Sequence, residues 1–227
     1  DLASPDQIDS AMQQMEECIK LVSSWMSQHY LKLNQDKSEF LVLSNKPVAR
    51  QIQCTSLDVC GHLVPPSDRV KSLGVTIDPC LSMEAHVSNI CRAAYSQLHR
   101  ISKVKKFLDQ RSLECIIHAF ITTRLDYCNG ILCGVSAGLK KKLQRVQNSA
   151  ARLLTNTRKR DHITPVLRSL HWLPVEQRIN FKVLVLTYKC LHGIAPDYLR
   201  DLIQLYNPVC DLRSSNQYLL QVHFTTS

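Results

Sequence analysis

Ten cysteines and nine histidines in 227 residues carry most of the chemical potential of this chain, and their spacing decides what they could do. Structural zinc needs two close ligands and a second close pair a short distance on. Cys54, Cys60 and His62 are neighbours, but five and one residues separate them and no second pair follows. Cys128 and Cys133 stand alone in the same way. His118 lies beside an apolar helix face and reads as a core histidine with its hydrogen bonds met. Nucleophilic catalysis needs a nucleophile, a base and an orienting group, and the local pattern Gly-x-Ser-x-Gly is missing. Two-metal phosphoryl transfer needs carboxylates that share the ions, and no Asp-Asp pair occurs anywhere in the chain. Asp126, in Leu-Asp-Tyr-Cys-Asn, is a lone acid that reads as a helix cap or an ion-pair partner. No catalytic residue and no metal ligand set is therefore expected.

The elements that would position functional residues fall into two styles. Ser4 is a candidate N-cap, Pro5 suits the first helical position and Gln7 completes a capping box. Ile8, Met12, Met15, Ile19, Val22 and Met26 then recur at helical spacing. Residues 34–36 break that pattern, and 38–43 read as a short buried strand. Further β candidates lie near Ile52 and Leu57, with turns at Gly61 and at Pro65 and Pro66. Residues 69–77 read as a strand interrupted by Gly74 and closed by Asp78 and Pro79. Beyond residue 80 the periodicity becomes helical. Val87, Ile90, Cys91, Ala94, Leu98, Ile101 and Leu108 form one stripe. Asp109 could cap a helix carrying Leu113, Ile116, Ile117, Phe120 and Ile121 on one face. Ser136 could cap another, with Leu139, Leu143, Val146, Ala150, Leu153 and Leu154. Thr164 and Pro165 start a short helix. Pro174 starts a long one that is apolar nearly all round, which predicts burial on most sides. Gly193 ends it, and Pro196 opens a last short helix. The expected fold class is α+β: a small β-hairpin region, 1–80, then a mainly α-helical bundle, 81–211, and a loose polar tail, 212–227.

Composition narrows the function classes. Hydrophobic residues at 44% and charged residues at 21% are ordinary for a globular chain and argue against disorder. No run of 18 apolar residues occurs, so no membrane-spanning helix is expected. Without a signal-like N-terminus, the scattered cysteines read as reduced core thiols, which predicts an intracellular location, nuclear or cytoplasmic. Six glycines are too few for a glycine-rich phosphate cradle. The net charge of +9 points toward an anionic partner, and it is unevenly spread. Residues 1–45 carry seven acids and three bases, net −4, whereas 92–160 carry fifteen bases and three acids, net +12. Lys141, Arg145, Asn148 and Arg152 fall on the face opposite the apolar stripe of their helix. Arg158, Lys159 and Arg160 extend that run, and Arg100, Lys103, Lys106 and Lys142 add to it. Such a surface can track a phosphate backbone and release counterions. The plain alternative is a solvated helix face. Few aromatic residues interleave the bases in sequence, so no stacking platform for single strands is visible.

Several runs together resemble one family. Leu-Lys-Leu-Asn-Gln-Asp-Lys-Ser-Glu-Phe at 31–40 is similar to the segment after the catalytic loop in reverse transcriptases of LINE-type non-LTR retrotransposons. Val-Lys-Ser-Leu-Gly-Val-Thr-Ile-Asp-Pro at 70–79, followed by Leu81, Ser82 and His86, resembles the next block. Arg-Leu-Asp-Tyr-Cys-Asn at 124–129, Leu-Gln-Arg-Val-Gln-Asn at 143–148 with Ala-Ala-Arg at 150–152, Asp-His-Ile-Thr-Pro at 161–165 and Leu-His-Trp-Leu-Pro at 170–174 resemble the helical region beyond. Leu-His-Gly at 191–193 and Ala-Pro-Asp-Tyr-Leu at 195–199 complete a match that runs through almost the whole chain.

The resemblance implies the C-terminal end of the polymerase: the close of the palm with a primer-grip hairpin, then a thumb-like helical region. The family's metal-binding aspartates belong to a Tyr-x-Asp-Asp loop upstream of the first helix, and Asp1 has neither the Tyr nor a second Asp beside it. Lys37 matches a lysine near the incoming nucleotide, with Ser38 where Thr is commoner. Leu73, Gly74 and Val75 match the primer grip. The expected function is binding of an RNA or DNA template-primer without polymerisation by this chain alone. Mg²⁺ is expected only with the missing catalytic half, and no other cofactor. The alternative is a helical interaction module that uses exposed apolar faces, once packed on the absent fingers and palm, to bind that half or a second copy.

Overall fold

The computed structural model describes residues 5–44, 56–206 and 219–221. Contacts divide the chain into two units, Asp1–Ala93 and Ala94–Ser227. It is a mixed α+β protein with two small antiparallel hairpins and a majority of helix.

In the first unit, α1 (Pro5–Gln28) begins at the proline, whose missing N–H costs nothing there. Ser4 and the side chain of Gln7 lie outside the described residues. The helix closes through Leu31 N–H to the Met26 carbonyl at 2.8 Å, with Tyr30 at φ +58° where glycine is usual. Asn34 then caps a 3₁₀ turn, Gln35–Lys37, its Oδ1 accepting from Lys37 N–H at 3.3 Å. Two hairpins follow: β1 (Leu57–Val59) with β2 (His62–Val64), and β3 (Val70–Ser72) with β4 (Val75–Ile77). Each turns on two residues of positive φ, Cys60 with Gly61 and Leu73 with Gly74, the pattern of a type I′ turn. The expected strand at 38–43 does not form. Phe40 makes one parallel bridge to Pro66, and Pro66 has no N–H with which to extend a ladder. The expected interrupted strand at 69–77 is the second hairpin. The candidate at Ile52 lies outside the described residues. Phe40, Leu57, Val59 and Val64 form the unit's buried cluster, with Met12, Ile19, Leu33 and Val42 packed against it.

The helix α2 (Glu84–Val104) is started by Asp78, whose carboxylate accepts from Ser82 N–H at 2.9 Å, Ser82 Oγ at 3.0 Å, Met83 N–H at 3.0 Å and Cys80 N–H at 3.2 Å. Burial alone would raise its pKa, but these donors outweigh it and hold the carboxyl below its ordinary range. Three residues into α2, His86 is buried at 4% exposure. Its Nδ1 accepts from Thr76 N–H at 3.3 Å, which docks β4 on the helix, while Nε2 has no partner.

In the second unit, a 3₁₀ turn (Lys105–Phe107) leads to α3 (Gln110–Ile117), capped as expected by Asp109, which accepts from Ser112 N–H at 3.4 Å. α3 runs into a π-helical turn (His118–Thr122) and on into α4 (Thr123–Asp126). The buried residues here, Leu113, Ile117, Ile121 and Leu125, recur every four positions. In an α-helix that spacing drifts about 40° per step, and the wider turn absorbs the drift. Phe120, expected on the buried face, is left exposed at 46%.

A 3₁₀ turn (Asn129–Leu132) precedes α5 (Ala137–Thr155), whose Leu139, Leu143, Val146, Ala150 and Leu154 are buried as the periodicity requires. Ser136 occupies the N-cap position without a side-chain bond. Then come α6 (Ile163–Ser169), α7 (Val175–Leu191) and α8 (Asp197–Arg200). Gln147, buried in α5, donates to the Leu173 carbonyl at 2.8 Å, and Gln144 Oε1 accepts from Val175 N–H at 2.8 Å. This clasp fixes the start of α7 against α5.

Three expectations need correction. α7 is not buried all round: Val175, Ile179 and Cys190 face the core, while Phe181, Leu184, Leu186 and Tyr188 are exposed. A helix packed on one layer has neighbours on one side only. The cysteines are not generally core thiols: among the described residues Cys190 is buried, whereas Cys18, Cys115, Cys128 and Cys133 are exposed. His118 is not a core histidine. It is half-buried, bonded to Thr122 Oγ1 at 3.2 Å and edge-on to Trp172, and the buried imidazole is that of His86. No helix among the described residues is long and apolar enough to cross a membrane.

Candidate nucleic-acid interface

The basic surface of the second unit is organised around Lys105. Its ammonium donates to the Leu153 carbonyl and to Asn156 Oδ1 at the C-terminal end of α5. A cation there answers both the unpaired carbonyls and the negative end of the helix dipole. Gln110 Nε2 reaches the neighbouring Leu154 carbonyl at 3.4 Å. The end of α2, the link to α3 and the end of α5 therefore meet at one corner.

Asn156, at φ +58°, ends α5 in the left-handed region, and the chain folds back through residues 157–161. That loop is held shut. Arg152 donates through one guanidinium nitrogen to the Arg158 carbonyl and through the other to the Asp161 carbonyl at 2.8 Å. Asp161 Oδ2 accepts from Arg158 N–H at 3.0 Å. Arg152 thus differs from its neighbours on the basic face: it is half-buried and bound to loop backbone. The side chains of Arg158, Lys159 and Arg160 are exposed on the loop it closes.

The structure brings Lys103 and Lys106 to the same corner as Arg158, Lys159 and Arg160, through Lys105. Lys141, Lys142 and Arg145 are exposed on the first half of α5, and Arg100 is exposed on α2. Lys141 and Arg152 are eleven residues apart, about 16 Å along the helix axis, so the basic surface runs the length of α5 and ends at the corner. Lys140, beside Lys141, is neutralised by Glu176 at 3.1 Å. Asp126 is an ion-pair partner, taking Arg178 Nε on Oδ1 at 2.8 Å and a second guanidinium nitrogen on Oδ2.

Two residues of the corner were not singled out in the sequence. Arg111 is exposed one position after Gln110. Phe107 is 76% exposed, with Lys106 Nζ over its ring at 4.8 Å from the centroid. A Lys-Phe-Leu run between two helices gives no signal that the ring points outward; the clamp at Lys105 makes it do so.

The remaining expected site residues belong to the first unit. Lys37 is exposed at the end of its 3₁₀ turn. Leu73 and Gly74 form the tip of the β3–β4 hairpin, with φ +46° and +84°, and Val75 is buried beneath them. Glu39 Oε2 accepts from Lys71 N–H at 3.3 Å and joins the two segments. No group of three or more His, Cys, Asp or Glu side chains that could hold a metal ion occurs among the described residues. Compared with family models, curated proteins and solved structures, the chain matches none.

Proposed function

We infer that this chain is the C-terminal part of a LINE-type reverse transcriptase: the end of the palm with its primer-grip hairpin, 1–80, followed by a thumb-like helical region, 81–211. Its task on that reading is to hold an RNA or DNA template-primer on the basic surface of the second unit. The observation that carries the reading is the gathering of Lys103, Lys106, Arg158, Lys159 and Arg160 at one corner, continuous with Lys141 and Arg145 along α5. Lys140, Lys141 and Lys142 lie in the first two turns of α5, where positive charge opposes the helix dipole. That placement favours a use beyond solvation. Lys37 and the Leu73, Gly74 and Val75 tip are the segments that resemblance assigns to the nucleotide and the primer end.

The chain alone does not polymerise on this reading. Two-metal transfer requires a shared carboxylate pair, and the described residues offer no ligand set for Mg²⁺. That chemistry belongs to the half carrying the Tyr-x-Asp-Asp loop.

The test is a titration of an RNA–DNA hybrid duplex across a salt series, read by fluorescence anisotropy. Binding should weaken with salt, and K141E/R145E should lower the slope of log affinity against log salt by about 0.9 for each phosphate no longer neutralised. An unchanged slope sinks the reading. Primer extension with Mg²⁺ should give no incorporation.

The alternative, a protein-interaction module, is favoured by Phe181, Leu184 and Tyr188 standing exposed along α7. Size-exclusion chromatography with and without nucleic acid separates the two, since the alternative predicts self-association that nucleic acid does not change.

A further inference from the structure

We propose that the corner around Lys105 is a site for an unpaired nucleotide, with its base stacked on Phe107 and its flanking phosphates held by Lys103, Lys106 and the loop of Arg158, Lys159 and Arg160. The proposal rests on the nucleic-acid reading above and specifies which part of the nucleic acid this corner takes.

Phe107 is the third residue of the Lys105–Phe107 turn, and its ring is 76% exposed. An aromatic ring offered to water loses the burial that usually justifies it, so its setting matters. The turn is braced on both sides. Leu108 N–H closes it onto the Lys105 carbonyl at 3.1 Å, the Lys105 ammonium is fixed at the end of α5, and Asp109 caps the next helix. The ring is therefore presented from a fixed backbone. Lys106 Nζ stands over it at 4.8 Å, which occupies one face with a cation and leaves the other for a second π-system. Exposed arginines and lysines lie on both chain segments that meet here.

A rigid exposed ring set among phosphate-binding cations is the arrangement that binds single-stranded nucleic acid, because every base has a face to stack. Bases inside a duplex have both faces covered by their neighbours. The ring can therefore engage only a base that is frayed, flipped or in an overhang, while the cations bind duplex and single strand alike. The corner should distinguish an unpaired end from the body of a duplex.

The experiment uses the full chain and two hybrid duplexes of one sequence: one blunt, one with a short single-stranded overhang carrying 2-aminopurine. The overhang duplex should bind at least about 5-fold tighter, with 2-aminopurine fluorescence quenched on binding. F107A should abolish the difference and the quench, and leave blunt-duplex affinity and its salt slope unchanged. F107Y should keep both. Equal binding of the two duplexes by the unaltered chain, or an overhang preference that survives F107A, overturns the proposal. So does an equal loss on both duplexes in F107A, which marks a structural role. If blunt duplex binds and K141E/R145E lowers its salt slope while no overhang preference exists, the broader reading stands and this one fails. If neither duplex binds, both fail.

Discussion

The ammonium of Lys105 donates to Oδ1 of Asn156, 51 residues further along the chain. This bond brings together the two stretches of the second unit that are richest in positive charge. Left alone, like charges would separate. A lysine turned inward to cap a helix holds them together because the carbonyl of Leu153 and the amide of Asn156 accept from it.

Replacing Lys105 by Met removes the cap and leaves helix-end acceptors unmet. The second unit should lose about 1–2 kcal/mol, seen as a melting temperature lower by a few degrees. Lys106→Gln, one position on, removes the same charge without a structural bond and should melt as the parent does. Equal melting of both variants would contradict the role of Lys105.

The pair of Asp126 and Arg178 joins α4 to α7, with the arginine side chain 20% exposed. Asp126→Asn leaves a half-buried guanidinium without its counter-charge and should cost about 1–2 kcal/mol. Arg178→Met should cost less than its geometry suggests, since it removes the charge itself. A double-mutant cycle should give a coupling of at least about 0.5 kcal/mol. Additive effects would make the pair incidental.

His86 predicts a pH dependence of the first unit. Burial lowers its pKa from the ordinary value near 6.5. Above 6.5 the imidazole is neutral in both folded and unfolded chains, and its contribution is complete. As pH falls below 6.5 the unfolded chain takes up the proton first, so stability drops until the lowered folded pKa is passed. Protonation at Nδ1 also removes the acceptor for Thr76 N–H. Denaturant midpoints measured between pH 7 and 5 should fall, and the fall should flatten in His86→Gln.

At the tip of the β3–β4 hairpin, Leu73 holds a left-handed φ of +46°, which a side chain branched beyond Cβ adopts at a cost of about 1 kcal/mol. Asparagine suits that position of a type I′ turn. Leu73→Asn should raise the denaturant midpoint of the first unit without changing the m-value, whereas Gly74→Ala, at φ +84°, should lower it. A stabilising Leu73→Asn that weakens template-primer binding would tie the leucine to the primer end.

The helices were legible where a stripe and a stop signal agreed. Pro5, Asp109, Pro174 and Gly193 mark their positions because each acts on its own backbone. The stripe of α5 could be read for the same reason, and so could the opposite basic face. The strand expected at 38–43 failed because pairing depends on a partner, and the partner is a proline. α7 misled because apolar composition reports what could be buried, not how many neighbours arrive. Of the basic site, charge density was plain in the sequence, but its geometry was not. Nothing local distinguishes Lys105, which caps a helix, from Lys106, which faces water, or Arg152, which closes a loop, from Arg145, which does not.

The π-helical turn at His118–Thr122 makes the frame of one helix depend on a single residue. Such a turn is an α-helix with one residue inserted. Removing one residue between 118 and 122 would restore regular winding and turn everything after it by about 100° around the axis. Leu125 would leave the core and Asp126 would swing away from Arg178. In this stretch a deletion is therefore more disruptive than almost any substitution, and a chain that tolerates exchanges here should tolerate no change of length.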